Sequence, residues 1–124
     1  MNSLAFAAGG DSGGSSSKIS TYDEAVKLIK RAGKLENKDK KDKAVKLYKE
    51  AFNKLEKANK KDKNNPDILN YMGFTSRKSG NFNEAEEFYL KGLSLDPKHN
   101  GINEYLGELF VQTIRIEKAK ERLA

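Results

Sequence analysis

The sequence predicts an all-α fold of stacked helical hairpins, and three observations support this prediction. Apolar residues recur every three or four positions over most of residues 21–124, which is the spacing of one helix face. Of the 124 residues, 34% are charged and only two are proline, a composition typical of amphipathic helices that share a thin core. Two stretches also match each other at an offset of 34 residues, which is the signature of helical hairpins packed in a row.

An N-terminal segment, residues 1–20, precedes the predicted helices, and its run of Gly and Ser from Gly9 to Ser17 is expected to be disordered. The triplet Ala5-Phe6-Ala7 has the A-x-A pattern that signal peptidases cleave. Neither a basic region nor a full apolar run precedes the triplet. Together with the small-residue linker, it favours a signal-peptide remnant and export, as to a bacterial periplasm, with a cytoplasmic protein as the alternative.

The first predicted hairpin covers about residues 21–63. Thr21 and Glu24 have the spacing of a capping box, in which each side chain satisfies a free backbone N–H at the start of a helix. A polar turn at Lys38–Lys43 separates the two helices, and the second is expected to run to about Asn59. The apolar faces of the two helices contain Ala25, Leu28, Ile29, Ala32 and Leu35, then Ala44, Leu47, Tyr48, Ala51, Phe52 and Leu55.

The second predicted hairpin covers residues 66–97. Asn65-Pro66 starts its first helix, and Gly80 ends that helix at a turn. Asn83 is the expected cap of its second helix, which Asp96-Pro97 stops. The third hairpin, about residues 100–124, is expected to be incomplete, with its second helix, the sixth of the chain, opening near Ile116.

The matching positions of the last two units carry a recognisable pattern. Met72-Gly73 aligns with Leu106-Gly107, Ala85 with Ala119 and Tyr89 with Leu123, and Pro97 closes the middle unit. The pattern resembles the tetratricopeptide repeat (TPR) family, more closely over residues 66–124 than over 21–63. The resemblance implies a right-handed α-solenoid of three stacked helix-turn-helix hairpins, the last one incomplete. It also implies a scaffold that binds another protein or a peptide in its concave groove.

The same resemblance places binding residues on the first helix of each hairpin. Some members of the family grip a peptide's C-terminal carboxylate with lysine and asparagine, but Phe74 and Glu108 stand where that clamp needs asparagine, and Glu104 would repel a carboxylate. An extended or helical peptide with a basic and an apolar group fits better. The implied groove residues are Asn70, Phe74, Arg77 and Lys78 in the middle unit, and Glu104, Glu108 and Val111 in the last.

Few residue patterns in the sequence indicate catalysis or metal binding. The chain has no cysteine and a single histidine, His99, so the usual nitrogen and sulfur ligands of a metal site are missing. His99 is interpreted as an exposed or helix-capping corner residue. Glu84, Glu86 and Glu87 are ordinary partners of a helix N-terminus, and no nucleophile lies in a pattern with a base. We therefore expect no catalysis, no cofactor and no metal.

The net charge of +6 is unevenly distributed. Residues 18–63 contain 16 Lys and Arg against 8 Asp and Glu, whereas residues 64–124 contain 8 against 9. A solvated face is the simplest interpretation of the basic first hairpin. The alternative function is binding to nucleic acid or an anionic membrane, although no aromatic residue is interleaved in a nucleic-acid pattern. The cations concerned are Lys27, Lys30, Arg31, Lys34 and Lys38.

Small residues in the repeat predict close helix crossings at Gly73, Ala85, Gly92, Gly107 and Ala119. On this basis, Gly107→Leu is expected to cost roughly 1–3 kcal/mol by overpacking. Tyr89→Ala is expected to cost about 3–5 kcal/mol by leaving a cavity.

The short sixth helix would leave the end of the stack poorly covered. An apolar edge of this kind marks a contact site. We expect either a further helix or docking of this edge onto a second copy or a partner. The residues expected at the edge are Leu106, Leu109, Phe110, Ile114 and Leu123.

Overall fold

The computed structural model describes residues 19–123, and these residues form five helices with no strand. The predicted all-α helical-repeat class is confirmed. The predicted disordered segment lies outside the described residues except for Ile19 and Ser20, and so does its Ala5-Phe6-Ala7 triplet. No helix within residues 19–123 has both the length and the apolar character needed to cross a bilayer. The helices are α1 (Thr21–Asn37), α2 (Lys41–Lys61), α3 (Pro66–Lys78), α4 (Phe82–Leu95) and α5 (Asn100–Leu123).

Two tight turns fold α1–α2 and α3–α4 into antiparallel hairpins. Each turn contains one residue in the left-handed region, Asp39 with φ 59° and Gly80 with φ 88°. Across each turn a backbone N–H donates to the carbonyl five residues earlier, from Lys40 to Leu35 and from Asn81 to Ser76. This is the Schellman arrangement, which satisfies the last carbonyls of a helix and reverses the chain.

The helix starts differ from the predictions by small shifts. The N-cap of α1 is Ser20, whose hydroxyl accepts from the Asp23 N–H at 3.0 Å, so the capping box predicted at Thr21 is wrong by one residue. Asn65 caps α3 as predicted, accepting from the Asp67 N–H at 2.9 Å. The cap of α4 is Asn81 rather than Asn83, because α4 begins directly after the turn.

The core is a thin layer between neighbouring helices. Alanines on the facing sides of α1 and α2 are fully buried, which lets the two helices lie close together. A first cluster joins α1, α2 and α3, and a second joins α4 to α5 through Tyr89, Ile102 and Leu109. The fully buried alanines of the first hairpin are Ala25, Ala32, Ala44 and Ala51.

The α3–α4 crossing is a close helix–helix contact. A Cβ atom added to Gly73 would lie 2.4 Å from Cε1 of Tyr89, whose side chain is fully buried. Gly92 of α4 is similarly close to α5, since its added Cβ would lie 2.4 Å from Cδ1 of Ile102. The predicted crossings at Gly73, Ala85 and Gly92 are therefore confirmed.

The predicted third hairpin is not formed. α5 runs without a break from Asn100 to Leu123, so the sixth helix expected near Ile116 is the second half of α5. The physical reason is the absence of turn chemistry. Between Glu108 and Leu123 the sequence has no Gly, Asn, Asp or Pro, and the turns of the other hairpins depend on such residues at left-handed positions.

Two small residues of the predicted third hairpin are consequently exposed. An added Cβ at Gly107 meets nothing within 4 Å, and Ala119 is exposed, so the crowding predicted at both positions is wrong. The predicted apolar edge is correct only in part. Leu106 and Leu109 are buried against α4, whereas Phe110 and Ile114 are exposed. The side chain of Leu123 lies outside the described structure.

The two equivalent glycines should respond oppositely to the same substitution. Gly73→Ala should destabilise the chain by about 1–3 kcal/mol, because its methyl group collides with the Tyr89 ring. Gly107→Ala should stabilise it by about 0.5–1 kcal/mol, because alanine is the better helix former and the space is open. Urea denaturation of both variants at low protein concentration measures the difference. Equal effects of the two changes would contradict the described α3–α4 packing.

Candidate binding site

The first helices of the repeat, α1, α3 and α5, carry the side chains predicted to bind. Contacts between α3 and α5 bring two of the predicted groups together. Arg77 Nη2 pairs with Glu108 Oε1 at 3.2 Å, and Arg77 Nη1 donates to Gln112 Oε1 at 3.2 Å. The Arg77 side chain is only 12% exposed, so this cation serves mainly to tie α3 to α5.

Lys78 makes a comparable tie in the other direction, from α3 back to α1. Its Nζ atom lies 3.1 Å from Glu36 Oε1, and the Tyr48 hydroxyl of α2 donates to the same carboxylate. Burial opposes ionisation of Glu36, but the hydrogen bonds from Tyr48 and Lys78 outweigh it and lower the pKa of Glu36. Burial, followed by this hydrogen bond, raises the pKa of the Tyr48 hydroxyl.

Phe74 lies beneath both cations rather than open to a ligand. Arg77 Cζ is 5.5 Å and Lys78 Nζ 5.6 Å from the centre of its ring, distances typical of cation–π contacts. Its ring also packs against Tyr48 at 5.9 Å and Tyr105 at 5.0 Å. Phe74 therefore holds these neighbouring side chains in place, and only part of its half-buried ring is open to a ligand.

Asn70 is the predicted residue with an unsatisfied group. Its side chain is 7% exposed, and its Oδ1 atom has no hydrogen-bond partner among the described residues. The first turn of α5 lies against it, because a Cβ added to Gly101 would be 2.8 Å from Asn70 Nδ2. A buried acceptor without a donor is costly, so Asn70 lowers the stability of the contact between α3 and α5.

Glu104 and Val111 are exposed on α5, the latter at 50%. Val111 lines an open groove between α3 and α5 with Arg77 and the flanking side chains of α5. The seven predicted residues therefore divide into internal ties and open groups. Arg77, Lys78 and Phe74 hold the helices together, and Asn70 is buried between α3 and α5, whereas Glu104, Val111 and the outer part of Glu108 are available to a ligand.

A row of tyrosines on the same three helices was not predicted. Tyr22 of α1 contacts Tyr71 of α3 edge to face, with ring centres 5.9 Å apart, and Tyr105 of α5 packs on Phe74. All three tyrosines are half-buried. Burial, with smaller contributions from Tyr71, Asp67 and Asp23, raises the pKa of Tyr22 to about 12. A signal for two of them existed, since Tyr71 and Tyr105 are also 34 residues apart.

His99 occupies the corner between α4 and α5 and caps α5, as interpreted from the sequence. Its Nδ1 atom accepts from the Ile102 N–H at 3.1 Å, so Nε2 carries the proton and donates to Asp67 Oδ1 at 2.7 Å. Within residues 19–123, no group of three or more His, Asp or Glu side chains is arranged to hold a metal ion.

The hairpin that carries this site matches a known family. The sequence model of the tetratricopeptide repeat family matches residues 66–99, which are α3, the Gly80 turn, α4 and the His99 corner. The chain contains a tetratricopeptide repeat. Gly73 against Tyr89 is the packing contact between the two helices of this matched unit, and α5 begins directly after it. Comparison with curated proteins found no match to the chain.

Stability should depend on the ionisation of Glu36. Folding lowers the pKa of the Glu36 carboxyl below its ordinary value of 4.5. The ionised carboxylate therefore stabilises the fold fully above about pH 4.5, and this stabilisation is lost as the pH falls through the lowered pKa. Glu36→Gln should therefore cost about 1 kcal/mol at neutral pH and lose less stability than the natural chain between about pH 5 and pH 2. Denaturation over this pH range measures both effects. Glu56→Gln, at an exposed position of α2, is the control, and equal pH slopes for the two variants would contradict the assignment.

Proposed function

We propose that this chain is a non-catalytic protein-interaction scaffold, which binds a segment of another protein along the face of α1, α3 and α5. The TPR match supports a protein partner. The observation that supports this face is the row of half-buried tyrosines beside the exposed side chains of Glu104 and Val111. The tyrosine rings provide contact area and hydroxyl groups for a peptide.

The charges along this face favour a segment with basic and apolar side chains. Two of the cations beside this face are already paired, Arg77 with Glu108 and Lys78 with Glu36, while Arg115 lines the far end of the groove and is exposed. Glu104 is exposed, and the Glu108 side chain is 48% exposed beside Val111. An acidic segment would meet unpaired negative charge here, whereas a basic segment would meet carboxylates next to an apolar surface.

A second candidate function rests on the outer face of α1. Lys27, Lys30, Arg31, Lys34 and Lys38 recur every three or four residues and are all exposed, and none of them pairs with a carboxylate of residues 19–123. A stripe of this kind attracts polyanions through counterion release. Binding to nucleic acid or anionic vesicles by this stripe would weaken steeply as salt is raised.

Export of the protein is a separate proposal, which rests on Ala5-Phe6-Ala7 and the Gly/Ser run alone. Fractionation of cells that express the natural gene tests it. Recovery of the chain with cytoplasmic markers would contradict it.

A pair of matched peptides tests the binding face. One labelled peptide alternates Leu with Arg, and the other has Glu in place of every Arg. The Leu/Arg peptide should bind the tighter of the two by about tenfold or more in fluorescence anisotropy, because Glu104 and Glu108 attract it. Amide and ring NMR signals of Asn70, Tyr71 and Tyr105 should shift on binding.

Two charge-reversal variants locate the interaction. Glu104→Lys with Glu108→Lys should weaken binding of the Leu/Arg peptide by about tenfold. Glu86→Lys with Glu87→Lys, on α4, makes the same change in net charge and should have little effect. Equal weakening by both pairs, or shifts confined to the α1 stripe, would reject this face and favour the polyanion-binding alternative.

A further inference from the structure

The second half of α5 has an apolar face that no other helix of residues 19–123 covers. Phe110, Val111 and Ile114 are 42%, 50% and 53% exposed, and Gly107 lies beside them with open space above it. We call these four residues the open α5 face. From Phe110 to Arg122 no residue is fully buried, and beyond the hydrogen bond from Arg77 to Gln112 this half of α5 is mostly exposed.

In the preceding hairpin, α3–α4, the corresponding face of the first helix is covered by the second helix. Gly73 and Ser76 of α3 stand 34 residues before Gly107 and Phe110, and both are buried beneath α4. The Tyr89 ring fills the space that Gly73 leaves. α5 therefore presents the inner face of a repeat, and within residues 19–123 no second helix covers it.

The residues that would form the covering helix lie further along α5 itself. In the offset of 34 residues, Ala119 corresponds to Ala85, and Leu123 to Tyr89. Because α5 continues as one helix, these positions lie further along the same helix axis and cannot contact Gly107 of the same chain. The second half of α5 from another copy can reach Gly107, if the two helices run antiparallel.

The charges of α5 match that arrangement. Its first half contains Glu104 and Glu108 and no Lys or Arg before Arg115. Its second half is basic, with Lys118, Lys120 and Arg122 against Glu117 and Glu121. When two antiparallel α5 helices cross near Ile114, the acidic half of each copy lies along the basic half of the other. A parallel pair would instead place like charges side by side.

We infer that the open α5 face binds a second copy of this chain, so that each α5 covers the inner face that its partner's α5 presents. The contact is isologous, with the two helices antiparallel about a twofold axis near Ile114. α5 has 24 residues and is about 36 Å long, which leaves two turns or more on each side of the crossing. The inference does not rest on the proposed peptide binding, with which the second copy competes for Val111, Glu104 and Glu108.

Sedimentation equilibrium of the full chain over a concentration series tests the pairing. The natural chain should form a species of twice the monomer mass. Gly107→Leu should raise the dimer dissociation constant about a hundredfold, because the side chain blocks the close approach of the second helix. Since Gly107 is open within one chain, the same variant should keep or raise the melting temperature measured at high dilution.

Two exposed apolar residues form a matched control pair. Ile114→Glu, at 53% exposure on the open α5 face, should abolish the dimer. Leu90→Glu, at 50% exposure on α4, should leave it unchanged. Neither residue belongs to the peptide-binding face, so loss of the dimer with peptide binding retained separates the two proposals.

Charge exchange tests the antiparallel orientation. One variant carries all four reversals, Glu104→Lys, Glu108→Lys, Lys118→Glu and Arg122→Glu. It should pair with itself, because its two halves have exchanged sign, and it should not pair with the natural chain, because antiparallel helices would then place like charges together. A heterodimer of this variant with the natural chain in place of the two homodimers is the result expected of parallel helices and would overturn the antiparallel arrangement.

Three results would overturn the inference altogether. The first is a monomer at every concentration with fast amide exchange along residues 110–122, whether or not peptides bind. The second is a monomer in which these amides are protected, because the chain has then folded back as its own sixth helix. The third is a dimer that Leu90→Glu disrupts and Gly107→Leu does not, which would place the contact on α4.

Discussion

The arrangement of the helices depends on the space that one missing Cβ leaves at Gly73, which the ring of Tyr89 fills. This contact sets how close α4 lies to α3. Gly92 on α4 then receives the side chain of Ile102, which sets the position of α5. α5 consequently lies where Arg77 reaches Glu108 and where Tyr105 packs on Phe74. The binding face on the first helices is thus a consequence of contacts made on the opposite side of α3 and α5.

The charged side chains on that face are mostly structural. Arg77 and Lys78 each bridge from α3 to a neighbouring helix and cover the ring of Phe74. Two cations so engaged are poor partners for an incoming carboxylate, since binding it would break an existing pair. Glu104 and the outer part of the Glu108 side chain are exposed at the edge of the face. The preference for basic ligands that we propose follows from these two carboxylates.

Much of this fold could be predicted from the sequence, because the same signals recur in each unit. The helix period, the Asn65-Pro66 start, the Gly80 turn and the crossings at Gly73 and Gly92 are all local patterns with one physical interpretation. The sixth helix was predicted from the self-match alone. The match was real at Gly107 and Ala119, but the residues between them cannot make a turn.

The binding face was harder to predict for a different reason. The positions of Arg77 and Lys78 followed from the repeat, but their partners, Glu108 and Glu36, come from other helices 31 and 42 residues away. Whether a cation is free or paired depends on such distant neighbours, which a repeat pattern does not specify. For the tyrosines, the repeat predicts equivalent positions but gives no indication of the contacts between them. Tyr71 and Tyr105 repeat at the helical offset, and their importance follows only from the contacts that the stacked helices create.

The unbroken α5 shows that a repeat's inner surface and its closure are encoded by different residues. The surface needs small and apolar residues at fixed spacing over a dozen positions. The closure needs one residue that tolerates the left-handed conformation, as Asp39 and Gly80 do. These two requirements can be gained or lost independently. A chain that keeps the surface and loses the turn retains the first helix of a hairpin with its packing surface intact. A second copy of the same chain carries a helix that could cover that surface.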